Sequence, residues 1–308
     1  MPSASVVIPT FNRKDCLREA LRSSFAQTVP VEAIVIDDGS TDGTEEMMRQ
    51  EFPDVRYERR NGPNGPCVLR NRGSELATSP ILFPIDDDAV FASPRTIEQT
   101  LAEFDHPRIA AVGIPFINVQ KDDSVIQQAP DDSKIYVTEA FVGASHAIRR
   151  DRFLAAGGYR SRMFYMGEEG DLAIRLLDRG WLVRLGRADP IHHFESPKRV
   201  LTRADLFGRQ NDVLFAWYNV PMPYFPLHLL GATVAGLRYG FRCRRPLRMV
   251  LGLAMGYRAI IDQFSQRRPV HPGTYRLRQM LRAQGIVPLS EIEPLLPKMP
   301  DIATANAF

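Results

Sequence analysis

The sequence predicts an α/β protein, a mostly parallel sheet flanked by helices and followed by a C-terminal helical region. From residue 5 to about residue 120, short apolar β-rich runs alternate with stretches of helical period, the pattern of βα units. Each run ends in Pro, Gly, Asn or Asp. After about Pro221 the rhythm gives way to helical stretches bounded by Pro and Gly, which sets a boundary between an α/β domain over 1–220 and a basic, aliphatic helical region over 221–308. At 308 residues, with 44% hydrophobic and 24% charged residues, the chain can bury one large core and carry a smaller appendage.

Strands are expected at Ser5–Ile8, Ala33–Asp37, Val55–Glu58 and Ile81–Ile85, each brief and apolar. The first helix is expected over Lys14–Ala26, where Cys16, Leu17, Ala20, Leu21 and Phe25 recur at helical spacing and Asn12 stands ready to cap the start. Further on, Val142–Ile148 reads as a strand and Asp151–Ala156 as a short helix stopped by Gly157 and Gly158. Glu169–Arg179 reads as a helix ended by Gly180, with Leu172 and Leu176 facing inward and Asp171 and Arg175 forming an i,i+4 pair. Residues 118–134 read as a mobile loop placed to close over a ligand.

Cys16, Cys67 and Cys243 are odd in number, far apart and outside any metal-binding spacing, which suits a reducing cytoplasm. MPSASVVIPTFNR has neither a basic leader nor a long apolar segment, so no secretory signal is expected. Charge is uneven. Residues 1–196 hold 23 Lys and Arg against 30 Asp and Glu, whereas 197–308 hold 16 against 6. The tail arginines are interleaved with aliphatic residues rather than the aromatics of a nucleic-acid platform, so no nucleic-acid partner is expected. Val220 to Leu237 is broken by three prolines and contains His228, which makes a poor spanning helix. An interfacial seat on the inner face of the cell membrane, with Arg238, Arg242, Arg244, Arg245 and Arg248 toward lipid phosphates, is one reading. Two core helices of a helical subdomain are the other.

In an open α/β sheet, ligands bind beyond the carboxyl ends of the strands. Two acidic groups stand at such ends. In AIVIDDGSTDGT, Asp37 and Asp38 close a strand before a Gly-rich loop that opens a helix. In ILFPIDDDAVF, three successive aspartates follow an apolar strand, and their mutual repulsion is relieved by a divalent cation. Oxygen ligands at that spacing suit Mg²⁺ or Mn²⁺, which can bridge a diphosphate.

Together SVVIPTFNR, IVIDDGSTDGT, NGPNGPCVLRNRG, ILFPIDDDAVF and MFYMGEEGDLAIRLLDRGW resemble the family 2 glycosyltransferases, in that family's order and over about residues 4 to 200. The resemblance implies a GT-A, Rossmann-like fold and an inverting, metal-dependent transfer from a nucleotide-diphosphate sugar to a glycan or lipid-linked acceptor, in cell-surface polysaccharide or glycolipid synthesis. It implies that Pro9, Thr10 and Arg13 line the nucleotide pocket, that Asp38 bonds the base while Asp37 is structural, and that Arg70 binds nucleotide or diphosphate. Asp86 would lie near the ribose, with Asp87 as spacer and Asp88 as metal ligand. A histidine after the acidic helix completes some metal shells in this family, and His192 and His193 are the candidates; strand alternation lets only one face the ion easily. In the acceptor-side motif the family places a catalytic aspartate where this chain has Glu169, leaving the base between Glu168 and Glu169.

Two other classes fit the sequence less well. A nucleotide-sugar-binding protein without turnover is disfavoured by the joint presence of Asp38, Arg70, Asp86, Asp88 and Glu169. A nucleotidyltransferase is disfavoured by the lack of an early Gly-rich, Lys- or Arg-bearing phosphate loop.

Overall fold

The computed structural model describes residues 3–195 and 201–300. The chain opens with β1 (Ala4–Thr10), α1 (Lys14–Phe25), β2 (Val31–Asp37), α2 (Thr44–Glu51), β3 (Arg56–Arg59), α3 (Pro66–Leu76) and β4 (Ile81–Pro84). β1 lies between β2 and β4, β3 flanks β2, and every one of these pairings is parallel. β1 and β4 are buried along their whole length, as the unbroken apolar character of VVI and ILFP requires. Asn12 does not cap α1: at φ 53° its side chain instead accepts from the Thr41 amide at 2.7 Å, tying the first loop to the second.

The middle of the chain adds β5 (Ala89–Phe91), α4 (Thr96–Ala102), β6 (Ile109–Gly113), β7 (Phe116–Asn118), β8 (Val125–Ile126), β9 (Tyr136–Thr138), β10 (His146–Arg149), α5 (Arg150–Ala155), α6 (Glu168–Leu177), β11 (Leu182–Leu185) and β12 (Ile191–His193). β10 runs antiparallel between β4 and β6, extending the parallel core into a mixed sheet. The strand expected over Val142–Ile148 begins only at His146, because Ser145 donates its amide to Val142 O and turns the chain there. A second sheet, in the order β5-β12-β7-β8, stands apart. Residues 118–134 therefore contain β8, paired with β7, rather than only loop.

The remaining elements are α7 (Leu201–Asn219), α8 (Tyr224–Arg242), α9 (Pro246–Asp262), α10 (Pro272–Gln284), β13 (Val287–Pro288) and α11 (Leu289–Ile292), with two short 3₁₀ turns. The boundary expected near Pro221 falls between α7 and α8, yet β13 returns to pair with β9 at the edge of the main sheet. Among the described residues that sheet has nine strands, in the order β13-β9-β11-β6-β10-β4-β1-β2-β3. No described helix is long and apolar enough to cross a membrane.

Two apolar layers sandwich the main sheet. One packs Leu17, Leu21 and Met48 against Val6, Ile8 and Phe83; the other packs Leu69, Leu172 and Leu176 against Ile34, Ile36 and Leu82. α3 sits unusually close, since a Cβ on Gly73 would stand 2.3 Å from Val7 Cγ1. This closeness brings Arg70, on the same helix, over the ends of β1 and β4.

Candidate functional site

A cleft of about 570 Å³ opens at the carboxyl ends of β1, β2 and β4. Those strands deliver Pro9, Thr10 and Arg13, then Asp38, then Asp86, Asp87 and Asp88 to its lining. α3 adds Arg70, α6 adds Glu168 and Glu169, and β12 adds His193. The fold thus gathers into one cleft every residue that the family resemblance implies for the nucleotide, metal and base roles except His192, which does not line it.

The three aspartates have three environments. Asp87 is buried and turned toward β1, accepting from Thr10 Oγ1 at 2.8 Å and Arg13 Nη1 at 3.2 Å. Burial pushes its carboxyl up to about 7, with Arg13 opposing and Asp88 adding to the rise. Asp88 meets Arg13 Nη1 through Oδ2 and lies 3.1 Å from His193 Nε2 through Oδ1. Burial would raise Asp88 too, but His193 and Arg13 outweigh it and hold the carboxyl below the usual carboxylate range. His193 is raised in turn: burial opposes its charge, and Asp88 wins. Asp86 is more open and pairs with Arg70.

Asp86, Asp88 and His193 form a group whose ligating atoms all lie within 4.8 Å of one another. Asp88 Oδ1 is buried and accepts no well-formed hydrogen bond, despite the nearby imidazole. A buried carboxylate oxygen facing an imidazole nitrogen, with a second carboxylate beside them, could hold a divalent cation, and the residues fit one. Strand register separates the two histidines: His193 pairs with Ala89 and Asn118, His192 with Val90 and Ile117, and successive side chains point to opposite faces. The ring of Phe116 lies 5.4 Å from that of His193.

Across from this group, α6 begins at Glu168 after Gly167, whose φ of +88° belongs to the left-handed region. Glu168 is only 4% exposed, whereas Glu169 is half-buried and opens to the cleft. Arg70, itself 3% exposed, donates from Nη1 to Glu168 Oε1 at 3.4 Å and from Nη2 to Asp86. Burial, helped by repulsion from Glu169, pushes Glu168 up to about 8, and Arg70 offsets only part of this. Burial raises Glu169 as well, against the pull of backbone amides at its own position and at Gly143.

Gly143 belongs to the site although no sequence motif marks it. A Cβ there would stand 2.3 Å from Glu169 Oε1, so the turn before β10 holds the carboxylate in this position only as glycine, and any other residue would displace its tip. The available signal was a glycine inside an apparent strand, which marks close approach. Asn118, Lys121 and Arg203 also line the cleft and belong to no motif.

Asp38 is buried and spends much of its accepting capacity inside the protein, on the Asn64 amide and side chain and the Gly65 amide. It still lines the cleft. Asp37 is fully buried and accepts from Ser40 and Tyr57, a structural arrangement. Asp171 pairs with Arg175 at 2.7 Å and with Arg160 at 3.1 Å, and also accepts from Asn219 of α7. Arg72 is taken up by Glu58 at the surface.

Residues 5–163 match the family model described as glycosyl transferase family 2. Among curated relatives, the chain is 24% identical over 271 residues to the O-antigen biosynthesis protein RfbC of Myxococcus xanthus, covering 77% of this chain and 21% of that protein. It is 34% identical over 96 residues to the GalNAc(5)-diNAcBac-PP-undecaprenol beta-1,3-glucosyltransferase of Campylobacter jejuni, covering 29% of this chain and 30% of that protein. The chain thus spans less than a third of the length of these relatives. In fold it is similar to the mannosyltransferase PcManGT of Pyrobaculum calidifontis, solved with GDP-Man and Mn²⁺, at a TM-score of 0.57 and 20% identity over 92% of this chain and 79% of that one.

Proposed function

Since the chain belongs to glycosyl transferase family 2, we propose that it moves a sugar from a nucleotide-diphosphate sugar to an acceptor hydroxyl, with inversion at the anomeric carbon, in the assembly of a cell-surface polysaccharide or glycolipid. One observation carries the reading: a carboxylate–imidazole group suited to a divalent cation and the adjacent Glu168 and Glu169 face the same cleft, and one guanidinium, that of Arg70, joins Asp86 of the first to Glu168 of the second. The names of these relatives agree with the class of product, and the fold neighbour was solved with a nucleotide sugar and Mn²⁺.

Residues 1–220 carry the chemistry in this proposal. Pro9, Thr10, Arg13 and Asp38 form the nucleotide side of the cleft, with Asp87 fixing Thr10 and Arg13 from below. Arg13 and Arg70 place positive charge beside the aspartates, where a diphosphate needs it. Asp86, Asp88 and His193 would hold Mg²⁺ or Mn²⁺, which supplies charge that stabilises the departing diphosphate.

Glu169 is the proposed base. Of the two glutamates it is the more open, and its raised pKa places proton uptake nearer neutrality than an ordinary carboxylate would. It takes the proton of the acceptor hydroxyl as the oxygen bonds to the anomeric carbon, and the bond to the phosphate oxygen breaks with its electron pair leaving on the diphosphate. A single displacement from the face opposite the leaving group inverts the centre. Glu168, pushed up to about 8, keeps a proton at neutral pH, so Glu169 can ionise without a second full charge beside it.

Screening nucleotide sugars with Mn²⁺, for thermal stabilisation and for release of free nucleoside diphosphate, tests the proposal. Metal-dependent stabilisation with nucleoside diphosphate release supports it. Release of pyrophosphate, or binding with no turnover toward any acceptor hydroxyl, would replace it with the nucleotidyltransferase or the binding-protein reading.

A further inference from the structure

The hairpin of α8 and α9 turns its apolar side outward. Both helices press glycines against their neighbours: a Cβ on Gly240 would stand 2.7 Å from Met249, and Cβ atoms on Gly252 and Gly256 would stand 2.6 Å from Leu206 O and 2.7 Å from Val213. With glycine on the inner faces, the leucines are left outside. Leu227, Leu230 and Phe241 on α8 and Leu247, Leu251 and Ile261 on α9 are all between 49% and 76% exposed. They recur at three- and four-residue multiples, so each helix presents a stripe.

Charge rims these stripes. Residues 220–268 contain eight arginines and one acidic residue, Asp262. Arg238, Arg242 and Arg244 are exposed and form no ion pair among the described residues. Arg245 and Arg248, grouped with them in the sequence reading, instead pair with the buried Asp205 at 2.8 and 3.6 Å. That pairing ties the basic end of the hairpin to α7, the helix whose Arg203, two residues before Asp205 and on another face, lines the cleft.

We infer that the α8–α9 hairpin is a docking surface for an anionic lipid bilayer, its apolar stripes seated among acyl chains and Arg238, Arg242 and Arg244 on lipid phosphates. A second copy of the chain would bring an identical arginine rim against this one, whereas a bilayer offers negative headgroups over an apolar interior. The seat stands independently of the transferase reading. Where that reading also holds, the Asp205 link brings the cleft to the membrane surface, and the acceptor class it favours is one anchored in lipid.

Co-sedimentation of the full chain with vesicles of phosphatidylcholine alone, and of phosphatidylcholine with equimolar phosphatidylglycerol, tests the seat. Binding is expected to the mixed vesicles only and to weaken in salt. Arg238→Glu/Arg242→Glu/Arg244→Glu is expected to weaken it by about 100-fold or more, from roughly fivefold per arginine, and Leu230→Ser/Leu251→Ser to weaken it at low salt as well. Circular dichroism and thermal midpoints verify that the variants stay folded, and nucleotide-sugar stabilisation, which reads the cleft, should be unchanged in both. The inference is overturned by folded protein that ignores the mixed vesicles, by equal binding to both vesicles, by full binding in the charge-reversed variant, or by a dimer that the leucine variant converts to monomer.

Discussion

Glu168 lies 3.4 Å from Arg70, and the same buried guanidinium meets Asp86, so the head of α6 and the aspartate run after β4 are coupled through one cation. A flat, forked group can serve two carboxylates at once, and an ammonium cannot do so in the same geometry. Arg70→Lys keeps the charge and loses the fork. It is expected to fold, to bind nucleotide sugar about tenfold or more weakly, and to lose turnover as well; steady-state kinetics with separate KM and kcat decide, and an unchanged kcat would detach Arg70 from the glutamates.

Glu169→Gln is expected to leave donor binding intact and to reduce kcat by about 10²- to 10⁴-fold, the usual worth of a positioned general base. Glu168→Gln should cost much less, since Glu168 already carries a proton at neutral pH. A Glu169→Gln enzyme with full transfer would remove that residue from the base role.

Burial raises both glutamates, which sets the direction of two pH effects. Transfer needs Glu169 ionised, so kcat should fall as pH drops through its raised pKa, at a higher pH than for an ordinary carboxylate. Stability runs the other way. Between the ordinary value of 4.5 and about 8, folded Glu168 keeps a proton that the unfolded chain releases, so its contribution is present at low pH and is lost as pH rises toward 8. Denaturation of the parent and Glu168→Gln at pH 5 and pH 8 should show the parent losing more stability over that interval; parallel losses would contradict the burial account.

Asp88→Ala and His193→Ala are expected to abolish or weaken metal-dependent donor stabilisation by about 100-fold or more, and His192→Ala to leave it near the parent value. Thermal shifts with nucleotide sugar, with and without Mn²⁺, distinguish the three. The contrast between neighbouring histidines isolates the metal site from general damage to β12.

Gly143→Ala places a methyl carbon 2.3 Å from Glu169 Oε1 if nothing moves. The carboxylate must then swing away. Transfer is expected to drop by about 100-fold, in line with the cost of a misplacement near 1 Å, while Mn²⁺-dependent donor binding is retained. Retained turnover would show that the turn has room to yield.

Much of this site was legible because its chemistry sits at strand ends, and strand ends show in sequence. VVIPT, AIVID and ILFPI are apolar runs cut off by polar or acidic residues, and β1, β2 and β4 lie there, with Thr10 and Arg13 after β1, Asp38 after β2 and Asp86, Asp87 and Asp88 after β4 at the cleft. What sequence left open depends on partners far along the chain. The choice of His193 over His192 is made by β5 and β7, strands of three residues each, too short for their alternation to be read. Asn12 resembled a helix cap because its place suits one, but Thr41 in the next loop offered a competing amide. Val142–Ile148 looked like one strand because nothing local reveals that Glu169 needs Gly143 to bend toward it.

Asn219 donates to Asp171, and Asn211 donates to the carbonyls of Tyr165 and Met166, so the last part of α7 braces both the glutamate-bearing helix and the wall of the cleft. The segment that matches the family ends at residue 163, before either glutamate. A gene fragment trimmed to that match would discard the proposed proton acceptor, and one trimmed just before α7 would keep it on an unbraced helix. Cloning boundaries for this protein therefore have to follow the hydrogen bonds of α7 rather than the limits of recognisable sequence.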